Sequence, residues 1–248
     1  MIAIVLPAYN EEKSLPGLIM QIRILAGKRL PEGVKIIVVD DGSTDHTAEC
    51  VRSIAGDDLL LIQHAHNKGL GEAIKTGLLN ALQLSPGVDV IVTMDSDNTH
   101  TPGLLMRMIM LLEEGNDVVI ASRFRPGART IGVTLDREIL SIGMSWIFRL
   151  LLPIRGVRDY SCGYRAYRSD VLRQAFDKWG DLFISQSGFS CMVDILIKLN
   201  RLNAIFYEIP LILRYDYKLG KSKMNVGITV RHTLSLLLRE RFRLLNRL

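Results

Sequence analysis

Short apolar segments alternate with amphipathic ones along the first half of the chain. Five apolar runs of strand length occupy residues 2–6, 34–39, 59–62, 88–94 and 118–121. Between these runs, small and apolar residues recur at helical spacing, as at Ala73, Ile74, Gly77, Leu78, Ala81 and Leu82. Strands that alternate with helices predict an α/β fold with a mostly parallel sheet and helices on both of its faces.

Polar residues after the first two strands predict where the following helices begin. Asn10 is a candidate cap, with Glu11 and Glu12 in the first turn, where the helix dipole favours acidic side chains. For the next helix, Asp45 or Ser43 is the candidate cap. Both helices are therefore expected to start close to the ends of the strands that precede them.

Polar clusters stand at the carboxyl ends of four predicted strands, at residues 7–11, 40–43, 95–100 and 122–123. In open α/β sheets, ligands bind beyond the carboxyl ends of the strands. Asp40 and Asp41 have no basic neighbour in the sequence, so one of them suits hydrogen bonding to ribose hydroxyls or a base N–H. Four clusters at one edge of the sheet predict a ligand site there.

Asp95 and Asp97 follow the fourth apolar run and are separated by one residue. Residues i and i+2 of a strand point to the same side, so both carboxylates can converge on one ion. Mg²⁺ or Mn²⁺ is commonly held by one or two carboxylates together with substrate phosphates. The alternative is a strand that runs into a solvated Asp-Asn turn, and the motif alone does not decide between them.

The segment Asn67-Lys-Gly-Leu-Gly71 follows the third predicted strand and opens a helical pattern. It lacks the third glycine of a dinucleotide-binding fingerprint, which makes that reading unfavourable. A helix amino terminus that binds a phosphate and a simple turn with a capping role both stay open.

The charge of the chain is unevenly distributed. Its 31 Lys and Arg against 26 Asp and Glu give a net charge of +5. From Arg214 onward nine basic residues stand against two acidic ones, or +7, which leaves −2 for the residues before it. A near-neutral body with a basic tail is unlike a uniformly basic nucleic-acid-binding protein, so no nucleic acid is expected as a partner.

Three cysteines, Cys50, Cys162 and Cys191, fit neither a disulfide framework nor a zinc site and favour a reducing compartment. The chain begins directly on a strand-like run, so we expect no signal peptide and a cytoplasmic location.

Residues 226–248 predict a basic amphipathic helix, with apolar residues at helical spacing and arginines on much of the other side. Such a helix suits an anionic membrane interface, and packing on the body or on a partner is the alternative. Residues 141–152, which include Trp146 and Phe148, are a second candidate membrane contact. Neither segment has the apolar length that a spanning helix needs. We therefore expect a peripheral protein on the cytoplasmic face of a membrane.

Several motifs together resemble those of family 2 glycosyltransferases with the GT-A fold. They are Pro7-Ala-Tyr-Asn-Glu-Glu12, Val39-Asp-Asp-Gly-Ser-Thr-Asp45, Asn67-Lys-Gly-Leu-Gly71 and Asp95-Ser-Asp97. Ala121-Ser-Arg-Phe124, Asp159-Tyr-Ser-Cys-Gly-Tyr-Arg-Ala-Tyr-Arg168 and Gly220-Lys-Ser-Lys223 are similar to the dolichol-phosphate mannosyltransferase-like branch. The resemblance reaches about Asn225 and implies a catalytic domain at 1–225, followed by the amphipathic segment at 226–248.

The resemblance also implies roles for individual residues. A nucleotide pocket would be lined by Pro7, Tyr9, Glu11, Val39 and Asp41. Asp95, Ser96 and Asp97 would meet the diphosphate, with Asp95 and Asp97 on Mg²⁺ or Mn²⁺, while Arg123, Arg214 and Lys223 would contact the donor diphosphate and the acceptor phosphate. Asp97, Arg123 and Lys223 would carry catalysis. The chain departs from the family at Asn98, where an apolar residue is common, and in the longer spacing from Arg214 to Lys223. Thr99 occupies a position that can supply a further ligand.

The implied reaction is an inverting, metal-dependent transfer of a sugar from a GDP- or UDP-sugar to a polyprenyl phosphate. A phosphate acceptor is already anionic at neutral pH and needs no base, and the loop at 220–223 would close on the diphosphate. A hydroxyl acceptor is the first alternative, since Asp194 can be a general base, although its place in a helical pattern favours a structural acid. The second alternative is a non-catalytic interaction protein that is recruited to a membrane.

Overall fold

The structure of the protein, a computed structural model, describes residues 1–29, 33–84 and 87–219. The strands are β1 (Ile2–Ala8), β2 (Val34–Asp40), β3 (Leu59–Gln63), β4 (Val90–Thr93), β5 (Val118–Ser122), β6 (Arg129–Ile131), β7 (Arg165–Arg168), β8 (Phe206–Pro210) and β9 (Ile212–Arg214). The helices are α1 (Leu15–Arg29), α2 (Thr47–Ser53), α3 (Leu70–Gln83), α4 (Leu105–Glu113), α5 (Leu135–Leu151), α6 (Ser169–Trp179) and α7 (Cys191–Asn200).

Seven strands form one sheet in the order β3-β2-β1-β4-β7-β5-β8. The five predicted strands all belong to it, and the prediction of a mostly parallel sheet is confirmed. β7 is the exception: it runs antiparallel between β4 and β5. Its amino end therefore lies at the sheet edge where its neighbours have their carboxyl ends, which brings residues 159–163 to that edge.

The strands of the sheet centre are covered on both faces. β1 is buried at every position from Ile2 to Leu6, and β2 is buried from Ile36 to Asp40. On one face, α3 approaches β1 so closely that a Cβ at Gly77 would lie 2.2 Å from Cγ1 of Val5. A glycine at this position of the helix lets its backbone approach the strand.

The prediction for the start of the first helix is wrong. α1 begins at Leu15 and has no acidic residue in its first turn. Asn10 instead adopts a positive φ of 54° and accepts a hydrogen bond from the Thr44 backbone N–H at 2.8 Å, while its own N–H donates to Ser43 Oγ at 2.9 Å. The polar side chains that were assigned to capping tie the first two strand-to-helix loops together.

The second predicted cap is also displaced. His46 occupies the cap position of α2 and makes no capping hydrogen bond with its side chain. Asp45 still accepts a hydrogen bond from the Thr47 backbone N–H at 3.0 Å, so it satisfies one of the free N–H groups at the helix start.

A small parallel sheet of β6 and β9 lies apart from the main one and carries the chain toward residue 219. No helix within the described ranges is both long and apolar enough to cross a membrane. The predicted loop at 220–223 and the predicted amphipathic helix at 226–248 lie outside the described residues.

Candidate functional site

A cavity of about 340 Å³ opens at the carboxyl ends of β4 and β5. One end of the cavity is charged and is lined by Asp95, Asp97, Arg123 and Lys218. The wall beyond it is apolar and is formed by Leu140, Met144, Phe148, Phe189, Val193 and Leu213. Helix α5 contributes much of this wall.

Asp97 is fixed by a tight turn. Its Oδ1 accepts hydrogen bonds from the backbone N–H of Thr99 at 3.1 Å and from Thr99 Oγ1 at 2.6 Å. Asn98 adopts a positive φ of 64° between them, a conformation that asparagine tolerates better than apolar residues do. This turn accounts for the asparagine at 98, and it directs the Thr99 hydroxyl to Asp97 as a hydrogen-bond donor. Asp97 Oδ2 contacts the ammonium of Lys218.

Asp95 lies against a histidine and a glycine. His100 Nδ1 accepts a hydrogen bond from the Asp95 backbone N–H at 3.1 Å, and His100 Nε2 lies 3.8 Å from Asp95 Oδ2. The ring of His100 is buried and stacks on Tyr164, with 5.3 Å between the centroids. A Cβ at Gly163 would lie 2.8 Å from Asp95 Oδ1, so the absence of a side chain there leaves room for the carboxylate.

The two carboxyl groups have opposite pKa shifts. Burial raises the pKa of Asp95 above its usual value, and the neighbouring charge of Asp97 acts in the same direction. Burial acts likewise on Asp97, but the charge of Lys218 and hydrogen bonds from Lys218 and Thr99 hold the pKa of Asp97 below its usual value. Additional positive charge at this point would stabilise the ionised form of both groups.

The donor set at this end of the cavity fits a hard divalent ion. Two carboxylates at positions i and i+2 offer oxygen ligands, which Mg²⁺ and Mn²⁺ prefer. Within the part of the chain that the structure describes, no cluster of three His, Cys, Asp or Glu side chains could hold a metal by itself. Such an ion would take its remaining oxygens from water or from a bound phosphate, as is usual for Mg²⁺.

Arg123 is held by a fully buried carboxylate. Its guanidinium donates from Nε to Asp159 Oδ2 at 2.8 Å and from one terminal nitrogen to Asp159 Oδ1 at 2.7 Å, in a two-pronged ion pair. The same nitrogen reaches Ser161 Oγ at 2.6 Å. Asp159 also accepts backbone N–H groups from Arg123 and Cys162, each at 3.0 Å. Burial would raise the pKa of Asp159, but Arg123 holds it below the usual range.

Glu208 of β8 supports Asp159 from behind. Its Oε1 accepts the backbone N–H groups of Arg158 and Asp159, each at 2.6 Å. Burial raises the pKa of the Glu208 carboxyl above its usual value. The segment that carries Asp159 is therefore fixed to the sheet. Because Asp159 binds the Arg123 guanidinium, that side chain is held in place as well.

The residues assigned to a nucleotide pocket lie near the same edge of the sheet. Ser96 Oγ donates a hydrogen bond to the Pro7 carbonyl at 2.8 Å, which joins the ends of β1 and β4. Tyr9 and Glu11 follow β1, and Glu11 Oε2 accepts a hydrogen bond from Ser14 at 2.8 Å. Val39 is fully buried in β2.

Asp41 forms hydrogen bonds with the loop that follows β3. Its carboxylate contacts His64 Nδ1 at 2.7 Å and accepts the backbone N–H groups of Lys68 and Gly69 at 2.9 and 2.8 Å. The side chain is buried, with 5% of its surface exposed. Asp41 thus shapes the edge of the predicted nucleotide pocket by holding this loop in place.

The Gly69 and Gly71 pair is used for packing. Gly69 has a φ of +91° in the cap position of α3, and the Gly71 backbone N–H donates to the Ser187 carbonyl at 2.8 Å. A Cβ at Gly71 would lie 1.9 Å from the carbonyl oxygen of Gln186. Of the two readings that the sequence left open, the structure supports the turn and capping role.

Two further basic residues were assigned by resemblance, and the structure describes one of them, Arg214. Arg214 pairs with Asp216, at 2.8 Å between a guanidinium nitrogen and Oδ2, and it lies over the ring of Tyr217 at 3.7 Å from the centroid. Lys223 lies outside the described residues. Lys218, which sequence reasoning missed, reaches Asp97 instead. Its position within a short basic segment was the only available signal.

Asp194 engages both of its oxygens within the fold. Oδ1 lies 2.7 Å from the ammonium of Lys198, and Oδ2 accepts hydrogen bonds from the backbone N–H and hydroxyl of Ser185 at 2.8 and 2.9 Å. These contacts give it a structural role in fixing the segment before α7.

The model of the family described as Glycosyl transferase family 2 matches residues 3–176, which contain β1 to β5, the paired aspartates and Arg123. The chain belongs to this family. The transferase is 33% identical over 226 residues to an undecaprenyl-phosphate mannosyltransferase of Micrococcus luteus, over 90% of this chain and 87% of the relative. It is 31% identical over 235 residues to a polyprenol monophosphomannose synthase of Mycolicibacterium smegmatis, over 93% of this chain and 83% of the relative.

The fold of the transferase is similar to that of glucosyl-3-phosphoglycerate synthase from Mycobacterium tuberculosis, whose crystal structure contains Mn²⁺, uridine diphosphate and phosphoglyceric acid. The TM-score is 0.68 at 20% identity, over 97% of this chain and 78% of the other. The resemblance to family 2 and the GT-A fold is thereby confirmed. The prediction of a glycosyltransferase is confirmed as well.

Proposed function

We propose that this transferase moves a sugar from a nucleotide-diphosphate sugar to a polyprenyl phosphate, by an inverting displacement that depends on Mg²⁺ or Mn²⁺. The observation that carries the proposal is the composition of one cavity. Paired carboxylates and Arg123 line its charged end, and the side chains of α5 and α7 line an apolar wall beside it. This combination suits an acceptor that joins a phosphate to a hydrocarbon chain.

The charged end fits the leaving diphosphate. When bound, the divalent ion would be held by Asp95 and Asp97 and would neutralise the diphosphate as the glycosidic bond breaks. Arg123, fixed by Asp159, is placed to contact donor oxygens without reorganising its own side chain. The resemblance assigns Asp95, Asp97 and Arg123 to the donor diphosphate. All three line the charged end of the cavity, which supports that assignment.

The acceptor chemistry follows from the charge of a phosphate monoester. An oxygen of the acceptor phosphate attacks the anomeric carbon from the face opposite the leaving diphosphate, a new C–O bond forms, and the bond to the diphosphate oxygen breaks. The nucleoside diphosphate leaves with that electron pair, and the configuration inverts. No base is needed because the second pKa of such a phosphate is about 6. The engaged carboxylate of Asp194 gives no support to a hydroxyl acceptor activated by that residue.

The named relatives support the same acceptor class. The proteins of Micrococcus luteus and Mycolicibacterium smegmatis bear names that refer to undecaprenyl phosphate and polyprenol. We assign a catalytic domain to residues 1–225, and of the two roles that the sequence leaves open for residues 226–248 we assign membrane contact. Sugar and nucleotide are to be identified by assay, since the walls of the cavity select them.

The outer face of α5 is a candidate for contact with the membrane that holds the acceptor. Leu135, Ile139, Trp146 and Leu150 recur along one side of this helix and are 76%, 69%, 62% and 79% exposed. The guanidinium of Arg149 lies over the Trp146 ring at 4.6 Å. An apolar stripe that includes a tryptophan beside an arginine suits the interface of an anionic bilayer. Because α5 also lines the cavity, such contact would bring the site to the lipid surface on the cytoplasmic side.

The test of the proposed function is a panel of GDP- and UDP-sugars incubated with the full chain, polyprenyl phosphate and Mg²⁺ or Mn²⁺. We expect label from one donor to enter the organic phase, and we expect chelation with EDTA to abolish it. A parallel series with polyprenol in place of its phosphate separates phosphate from hydroxyl acceptors. Transfer to polyprenol alone would overturn the phosphate assignment, and no transfer with any donor would overturn the proposed activity.

Membrane contact through α5 is tested by flotation with vesicles that contain an anionic lipid. We expect Trp146→Gln and Leu150→Gln each to weaken vesicle binding by roughly tenfold, because each exposed side chain contributes on the order of 1.5–3 kcal/mol when it enters an apolar phase. Ile205→Gln is the matched control, since Ile205 is 56% exposed at the amino-terminal edge of the sheet, away from the cavity. Equal binding of all three variants and the wild type would exclude α5 as the contact.

A further inference from the structure

Lys218 supplies a positive charge beside the paired carboxylates. Its ammonium contacts Asp97 Oδ2, and both side chains are only 14% exposed. The other oxygen, Oδ1, is occupied by the two hydrogen bonds from Thr99. Asp97 therefore offers one oxygen for ion binding, and Lys218 already occupies it.

The backbone before Lys218 is anchored by contacts that do not involve the Lys218 side chain. The Arg214 backbone N–H donates to the Thr99 carbonyl at 3.0 Å, and Arg137 donates to the Tyr215 hydroxyl at 3.1 Å. These two contacts hold the start of the segment beside the turn that carries Asp97. Lys218 follows three residues later on a flexible four-carbon stem, so its ammonium can leave Asp97 while both contacts persist.

Contact of an ammonium and a divalent ion with one carboxylate oxygen is unfavourable, because like charges at that distance repel strongly in a partly buried site. Among the described residues, Arg123 is the other cation at the charged end, and two hydrogen bonds to Asp159 fix it. Lys218 is therefore the group whose charge must be relocated when an ion binds. Phosphate oxygens in the same cavity offer it a new partner.

We propose that Lys218 is a displaceable internal cation of this site: it neutralises Asp97 before the divalent ion binds and turns to substrate phosphate afterwards. The inference rests on the proposed function for its second half, since the phosphate belongs to the donor or the acceptor. Its first half concerns Lys218 and Asp97 alone. Lys218 thus lowers the affinity of the free enzyme for the ion and raises the affinity of the ion-loaded enzyme for its substrates.

Calorimetric titration with Mn²⁺ alone tests the first half. We expect Lys218→Met to bind Mn²⁺ about tenfold more tightly than the wild type, which corresponds to about 1.4 kcal/mol. Lys218→Arg keeps the competing charge and is expected to bind Mn²⁺ within about twofold of the wild type. The control is Lys75→Met, because Lys75 pairs with Glu72 and Asp181 outside the cavity. Its Mn²⁺ affinity should be unchanged, and thermal melts establish that each variant is folded.

Transfer assays at saturating Mn²⁺ test the second half. We expect Lys218→Met to raise the KM for the sugar donor or lower kcat by at least tenfold, while Lys75→Met behaves like the wild type. Equal or weaker Mn²⁺ binding by a folded Lys218→Met would overturn the inference, as would a lack of Mn²⁺ binding in both proteins. Tighter Mn²⁺ binding by Lys218→Met together with a wild type that transfers no sugar would overturn only the proposed function.

Discussion

Asp97→Asn is expected to reduce sugar transfer by at least about 10²–10³-fold, the range found when one preorganised electrostatic contact is removed from an active site. The substitution keeps the size of the side chain and one carbonyl oxygen, so the turn to Thr99 can persist. It removes the negative charge that the divalent ion and Lys218 both need. Label transferred to the organic phase and Mn²⁺ affinity by calorimetry are the two measurements.

The matched control for this variant is Asp89→Asn. Asp89 precedes β4 at the opposite edge of the sheet, its side chain is 72% exposed, and it pairs with the amino terminus. Exposed ion pairs contribute little to stability, so this variant should keep full activity and Mn²⁺ affinity. Normal turnover by Asp97→Asn, with Mn²⁺ affinity unchanged, would refute the assignment of the ion to the paired carboxylates.

Asp159→Asn is expected to destabilise the protein by about 3–5 kcal/mol, because it leaves the guanidinium of Arg123 without its buried partner. Asp159 is fully buried, and it accepts hydrogen bonds from the Arg123 side chain and from backbone N–H groups. An asparagine at this position offers one acceptor oxygen in place of two. Chemical denaturation, with the midpoint and the slope both fitted, measures the loss.

The same variant should also lose transfer activity under conditions in which it remains folded. Arg123 would no longer be held at the charged end of the cavity, so KM for the donor should rise even at temperatures where the variant is folded. Asp170→Asn is the control, since Asp170 pairs with Arg168 on an exposed surface. An Asp159→Asn variant with a wild-type KM would show that Arg123 does not contact the donor.

Much of the candidate site was predictable because it follows local rules. The apolar runs located the five strands, and the residues directly after β4 and β5, Asp95, Asp97 and Arg123, line one cavity, as the edge rule for parallel sheets requires. The motifs around them were sufficient to identify the family. Local signals were less reliable for helix starts, where Asn10 and Ser43 bond across two loops that are distant in sequence.

β7 was missed because its sequence carries no strand pattern of its own. It is four residues long, contains two arginines, and is buried by its neighbours on both sides. Arg165 is fully buried and donates to the carbonyl groups of Met192 and Tyr160, each at 2.8 Å. These acceptors lie in α7 and in the loop before β7, so only the assembled fold provides them, and the local pattern does not reveal a buried arginine.

The sequence by itself determined the α/β class, the edge of the sheet where the cavity opens, the two neighbouring carboxylates in its lining, and the family. Only the tertiary structure decided which distant residues complete the site. Asp159 reaches Arg123 across 36 positions, and Lys218 reaches Asp97 across 121. Contacts at such separations depend on how the antiparallel β7 and the segment after β9 close long loops, and loop closure leaves no periodic signal in the chain. The apolar wall beside the carboxylates has the same origin, because α5 supplies it from a helix whose other face is exposed.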